Sequence, residues 1–209
     1  MALSLADYKR QIMHFSEGDL TENPWVKGKP VPRLIQVVPY DLKWPEIYRQ
    51  QQKYICDVLR DKALKIAHVG STAVPGLAAK PVIDIDLIVA TPEDEKSYVP
   101  TLEELGFELT VREPSWYQHR MLKLQDPQVN LHVFAPDCPE HLRHLLFRNW
   151  LIEHPDDSEK YANAKLAAVV DANYVKEYND NKNAVVRDIY SRLFEQLDML
   201  LPDLLLHEN

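Results

Sequence analysis

The apolar positions of this chain fall into an ordered set of periods from Leu34 onward. Leu34–Val38 is a short β-type run ended by Pro39. Pro45–Leu59 reads as a helix, with Ile47, Tyr54, Ile55, Val58 and Leu59 on one face and Pro45 suited to a first turn. Lys65–Val69 reads as a strand. Gly70–Lys80 is rich in small residues and contains Pro75-Gly76, which predicts a loop with a short helical turn. Pro81–Ala90 is the most apolar run and predicts a buried strand. Thr91 suits an N-cap and Pro92 a first helical position, for a helix running to Leu105 and ended by Gly106. Phe107–Val111, His119–Leu124 and Val129–Phe134 read as three strands, with Asp126-Pro127 turning between the last two. Beyond Pro139 the pattern is helical throughout: Pro139–Glu153, Asp156–Asn173 and Val175–Leu200, with His154-Pro155 between the first two. An αβ half followed by a helical half predicts an α+β domain, with helices over one face of a mixed sheet.

Residues 1–33 differ. Asp7–Phe15 suits a short helix, and Asn23-Pro24, Gly28, Pro30 and Pro32 then punctuate the chain. We expect an N-terminal extension (1–33), one domain over 34–200 and a short tail (201–209). The 209 residues are enough to bury a core without disulfides or structural metal. The two cysteines, Cys56 and Cys138, have no metal-type spacing and are expected to be free thiols in a reducing compartment. No leader pattern and no run of roughly 20 apolar residues is present, so a cytoplasmic protein without a membrane partner is expected. The net charge of −8 argues against long nucleic acid, which needs a basic face. A local basic patch for a small anion such as a nucleoside triphosphate remains compatible with it.

The candidate chemistry centres on Asp84-Ile85-Asp86. Side chains two apart on a strand share a face, so the two carboxylates stand side by side, with Cα atoms about 7 Å apart. Two like charges that close shift each other's pKa, and a hard cation relieves the conflict. Gly70-Ser71 ends the preceding strand. A glycine there permits close backbone approach to a phosphate, and turn N–H groups with the Ser71 hydroxyl can hold phosphate oxygens. His68, His119 and His132 lie on predicted strands, where with Asp84 and Asp86 they could form a transition-metal site. Each alone is equally a structural histidine. Lys80 closes the loop before the Asp strand, Arg120 leaves a strand, and Arg148, Lys165 and Lys182 lie on the helical half. Tyr161 with Lys165, and Tyr178 with Lys182, are i,i+4 pairs that share a helix face, suited either to stacking a base and gripping a phosphate or to packing a Lys stem on a core Tyr. Trp116-Tyr117 could form a lip over such a pocket.

The run His68-Val-Gly-Ser-Thr-Ala-Val-Pro-Gly-Leu-Ala-Ala-Lys-Pro-Val-Ile-Asp-Ile-Asp86 closely resembles the signature of the GrpB family. Val37–Pro45 resembles the family's opening and Leu131-His132-Val133 its late strand. His144–Leu151 with His154-Pro155, Tyr161…Lys165 and Tyr178…Lys182 resemble its helical end. The resemblance runs from Leu34 to Phe194 and implies a polymerase-beta-type nucleotidyltransferase fold. It implies a nucleotidyl transfer in which Asp84, Asp86 and a third ligand hold divalent metal, Mg²⁺ or Mn²⁺. The nucleotide, ATP being the expected triphosphate, would be held by Gly70, Ser71, Lys80, Arg120, Arg148, Lys165 and Lys182. The acceptor would be a small molecule or a protein. The third position holds His132 where this fold usually has a carboxylate. A neutral imidazole suits Zn²⁺, Mn²⁺ or Fe better than Mg²⁺, and suits general-base work. Three alternatives stay open: ATP-dependent activation of a small molecule toward an amide or ester, with residues 1–33 as a lid; a non-catalytic nucleotide-binding module; and a His/Asp metal hydrolase.

Overall fold

The computed structural model describes residues 5–29, 36–171 and 175–204. Element order is α1 (Leu5–Met13), α2 (Trp44–Leu59), β1 (Lys65–Val69), β2 (Ile83–Ile88), α3 (Val99–Glu104), β3 (Glu108–Glu113), β4 (His119–Leu124), β5 (Val129–Phe134), α4 (Pro139–Glu153), α5 (Pro155–Asp171) and α6 (Val175–Leu204). Short 3-10 turns occupy Arg60–Lys62, Ser71–Ala73 and Glu95–Ser97. The strands form one sheet in the order β1-β2-β5-β4-β3. β2 and β5 are parallel and the other neighbours antiparallel, so the sheet is mixed and the chain is α+β, as expected.

The alternation of β2 decides what each face does. Ile85 lies beside His68 and Leu131 in register, whereas Asp84 lies beside Val69 and Asn130, and Asp86 beside Ala67 and His132. On the Ile85 face, Ile85, Leu87, Leu122, Leu131 and Val133 pack under Trp44, Ile55 and Leu59 of α2 and Val99 and Leu102 of α3. A fully buried aliphatic side chain of this kind contributes roughly 1.5–3 kcal/mol. The opposite face carries Asp84 and Asp86, and α4 packs there. Helices therefore cover both faces. The expectation of one covered face fails because α4 returns across the carboxylate face, where His141 and His144 meet Asp86.

β3 contains a bulge between Leu109 and Val111. The extra residue shifts the alternation by one, so Val111 and Glu113 reach the carboxylate face, opposite Met121 and His119. The predicted helix Thr91–Leu105 is broken instead into the 3-10 turn and α3. Pro100 fixes the start of α3, since it cannot donate to a preceding turn.

The extension packs on the domain. Ile12 of α1 is buried with Tyr190, Leu193 and Phe194 of α6. The buried guanidinium of Arg143 in α4 donates to the carbonyls of Gln11, Ile12 and His14, satisfying acceptors that a helix end leaves open. Trp25 bridges Val111 on the outer edge of β3. Of the expected strand Leu34–Val38, Leu34 and Ile35 lie outside the described residues, and Val38 forms a single bridge to Ala79. The two cysteines are free thiols, Cys138 buried and Cys56 half-buried. Among the described residues no helix is long and apolar enough to cross a membrane.

Candidate functional site

Gly70 leaves β1 with φ 68°. Any Cβ at that position would stand 2.5 Å from Oδ2 of Asp84 and 3.0 Å from its Cβ. The glycine thus seats the Asp84 side chain, a closer constraint than the phosphate approach expected of it. Asp84 Oδ1 accepts from the Asn130 amide on β5 at 2.8 Å. Burial works to raise the Asp84 pKa, but His132, Asn130 and His144 outweigh it and hold the carboxyl below its ordinary value.

Asp86 is fully buried, and two histidines of α4 close over it. His141 Nδ1 donates to Oδ2 at 2.8 Å, and His144 Nδ1 lies 3.0 Å from the same oxygen and 3.1 Å from Oδ1. Burial opposes charge on both partners. The Asp86 carboxylate nevertheless raises His144 to about 9, and the histidines hold Asp86 well below the usual carboxylate range. His144 Nε2 also faces Glu140, 3.5 Å away. The charge conflict that a metal was expected to relieve is relieved here, at Asp86, by an imidazolium.

A second chain of groups ends at Asp84. Glu113 Oε2 accepts from His119 Nδ1 at 2.7 Å. That bond assigns the His119 tautomer, leaving Nε2 as acceptor for His132 Nδ1 at 3.1 Å. His132 Nε2 then faces Asp84 Oδ1, 3.9 Å away. Burial, only partly offset by Glu113, holds His119 down to about 4, so it is neutral near pH 7 and able to act as this link. Among the described residues, no three histidine, cysteine or carboxylate groups are placed to hold a metal ion by themselves.

The other expected residues separate. Ser71 opens the 3-10 turn beside Asp84, half-buried, and Lys80 ends the loop, also half-buried. Val74 and Leu77 press the loop between them onto Leu151, Tyr161 and Ile189 of the helical half. Lys165 is buried under the same loop, donating to the Ala78 carbonyl with its ammonium 4.5 Å from the Tyr161 ring centre. Its position is loop support rather than an open phosphate ligand. Arg148 donates to the His68 carbonyl at 2.8 Å and braces α4 on β1. Lys182 is half-buried and close enough to Lys165 to lower its pKa, while Tyr178 lies outside the residues whose side chains are described. Arg120 is not in the site. It lies on the core face opposite Val133 and pairs with Glu95 at 2.6 Å. His68 is also on that face, stacked on Tyr48 at 4.7 Å and bonded to Thr72 at 3.0 Å, so it cannot join Asp84 and Asp86. His141, His144 and Glu113 were not singled out for these roles by sequence, although His141 and His144 have the i,i+3 spacing of one helix face.

A cleft of about 370 Å³ opens over His119, His132 and His144. Its remaining walls are Val111, Glu113, Trp116 and Met121 of the β3–β4 region and Glu17, Pro24 and Trp25 of the extension. The Trp116 ring stands edge-on to His119, 5.1 Å between centres, in the place expected of a lip.

Comparison with known proteins shows the family. The model of the family described as GrpB protein matches residues 34–192. A UPF0157 protein of Halalkalibacterium halodurans is 44% identical over 165 residues, 78% of this chain and 85% of the relative. A UPF0157 protein of Streptomyces coelicolor is 37% identical over 166 residues, 79% of this chain and 87% of the relative. The crystal structure of the conserved protein GrpB from Enterococcus faecalis superposes with a TM-score of 0.67 at 28% identity, covering 78% of this chain and 99% of that one. The matched segment holds both Asp84 and Asp86, the Gly70 turn and all of the histidines around them: the chain belongs to the GrpB family.

Proposed function

We propose that this protein is a nucleotidyltransferase-like enzyme that binds a nucleoside triphosphate, ATP in the first instance, at the Gly70–Ser71 turn and transfers its nucleotidyl group to an acceptor in the cleft. The observation that carries the reading is the Glu113–His119–His132 chain, which orients one imidazole nitrogen beside Asp84. An imidazole oriented in this way, at the floor of a cleft and next to a turn suited to phosphate, is what a general base for phosphoryl chemistry requires.

The donor set fits one divalent ion and not two. Asp86 has both oxygens engaged by His141 and His144. Asp84 is left as an oxygen donor, and together with a bound triphosphate it would hold one Mg²⁺ or Mn²⁺, leaving His132 Nε2 for proton transfer. An ion bound there would neutralise phosphate charge. The protein's own part is as follows. His132 Nε2 takes the proton of the acceptor hydroxyl or amine. The acceptor atom bonds to the α-phosphorus, and the bond from that phosphorus to the bridging oxygen breaks with its electron pair, releasing pyrophosphate. Glu113, through His119, stabilises the imidazolium formed on His132, as the carboxylate does in an acid–base triad. Against burial, His132, Asn130 and His144 hold the Asp84 carboxyl below its ordinary value.

Titration calorimetry with ATP, GTP, CTP and UTP in the presence of Mn²⁺ or Mg²⁺ tests the proposal. Saturable binding of at least one triphosphate, weakened in Asp84→Asn, is expected. Absence of binding by all four would remove the reading.

A further inference from the structure

The cleft over the three histidines is built in part by residues that precede the family segment. Glu17, Pro24 and Trp25 form one wall, whereas the family match begins at residue 34. The wall is anchored at several points. Trp116 Nε1 donates to the Ser16 carbonyl at 2.8 Å, and Asp19 N donates to Ser115 Oγ at 2.9 Å. Arg112 N donates to the Pro24 carbonyl at 2.8 Å, and Val26 N to Thr110 O at 3.1 Å, which adds the extension to the β3 edge as a strand would add. Gly18 has φ 64°, and a Cβ there would meet the Trp116 Cβ at 3.0 Å, so the chain passes directly against Trp116. Contacts this numerous mark a built wall.

Its chemistry is specific. Two indoles, Trp25 and Trp116, and the apolar Pro24, Val111 and Met121 make most of the surface. The carboxylates Glu17 and Glu113 face the same space, and among the described residues no lysine or arginine lines it. His144 also lines the space, with its two ring nitrogens turned to Asp86 and Glu140. Aromatic faces with carboxylates nearby attract an organic ammonium by cation–π and charge attraction, and they repel an anion. The volume admits a molecule of about one or two rings.

We infer that the extension and the β3–β4 region together form a subsite for a small, largely apolar amine, and that Trp25 and Glu17 set this preference. The inference rests on the proposed function only for the subsite's role as acceptor site, beside His132.

Three probes of one shape separate the possibilities: benzylamine, benzyl alcohol and benzoate. Each is titrated into the full-length protein while the indole N–H resonances of Trp25 and Trp116 are followed by NMR. Benzylamine should shift both resonances saturably and bind about fivefold tighter than benzyl alcohol, with no saturable shift from benzoate. Trp25→Ala, read at Trp116, should weaken benzylamine by about fivefold, and the exposed Glu17→Gln, which removes no packing, by about threefold. Benzoate binding as tightly as benzylamine, benzylamine shifting neither resonance, or both variants binding as wild type would overturn the inference. Nucleotide titration of the same sample is an independent readout. Amine binding without nucleotide binding would sink the transferase reading and leave the subsite standing, and the converse would do the opposite.

Discussion

Gly70 and Asp84 share one space: a Cβ on the glycine would lie 2.5 Å from the carboxylate oxygen of Asp84. The turn and the acid are therefore a single fitted unit. Gly70→Ala adds both this clash and strain at φ 68°. It should cost about 1–3 kcal/mol of stability and displace Asp84. Urea denaturation and triphosphate titration check the two effects. A Gly70→Ala protein with wild-type stability and nucleotide affinity would show that the fit is not required.

The histidine chain predicts a kinetic signature. Glu113→Gln can no longer stabilise positive charge relayed through His119 and need not fix its tautomer. Turnover should fall roughly 10–100-fold with the melting temperature nearly unchanged. His132→Gln should lose more, about 100-fold or beyond. If Glu113→Gln loses activity only in proportion to its stability, the chain is structural.

Arg120 supplies a contrasting case. Its guanidinium lies on the core face with Glu95. Arg120→Met should therefore destabilise the fold by about 1–3 kcal/mol and leave triphosphate affinity as it was. A loss of affinity out of proportion to the stability change would return Arg120 to the site.

Lys165 gives a pH dependence whose sign is fixed by burial. Burial, reinforced by Lys182, lowers its pKa from the ordinary 10.5 to about 7. Between those values the unfolded chain binds a proton that the folded chain lacks, so the group's contribution to stability rises with pH. Below about pH 7 both states carry the proton and the burial penalty is constant. Lys165→Met keeps an apolar stem near Tyr161 and removes the titration. Its urea midpoint, followed from about pH 7 to about pH 10, should rise less than that of the wild type. Parallel curves would show that Lys165 keeps an ordinary pKa.

The sequence made the carboxylate pair legible because a strand fixes parity locally: Asp84 and Asp86 share a face whatever pairs with them. β4 and β5 were legible at their full lengths because they are short runs bounded by turn residues. Parity also carried a warning. His119 and Arg120 are consecutive on β4 and so point to opposite faces, and both could not belong to one site. The placement of His68 was not legible, since it depends on how β1 registers against β2. Glu113 depends on the bulge at Leu109–Val111, which leaves no mark in the apolar pattern. His141 and His144 had a readable spacing, but what they face is set by the packing of α4 on the sheet. The break at Pro100 was readable from the proline alone.

Asp84 and the oriented His132 are expected to face the α-phosphate of a bound triphosphate. Crystals soaked with a non-hydrolysable ATP analogue and Mn²⁺ test it directly through the anomalous signal of manganese. One manganese is expected on Asp84, beside the triphosphate, with the α-phosphate turned toward His132 and the cleft. Manganese and nucleotide bound elsewhere on the molecule, or an ordered nucleotide whose α-phosphate faces away from His132, would contradict it.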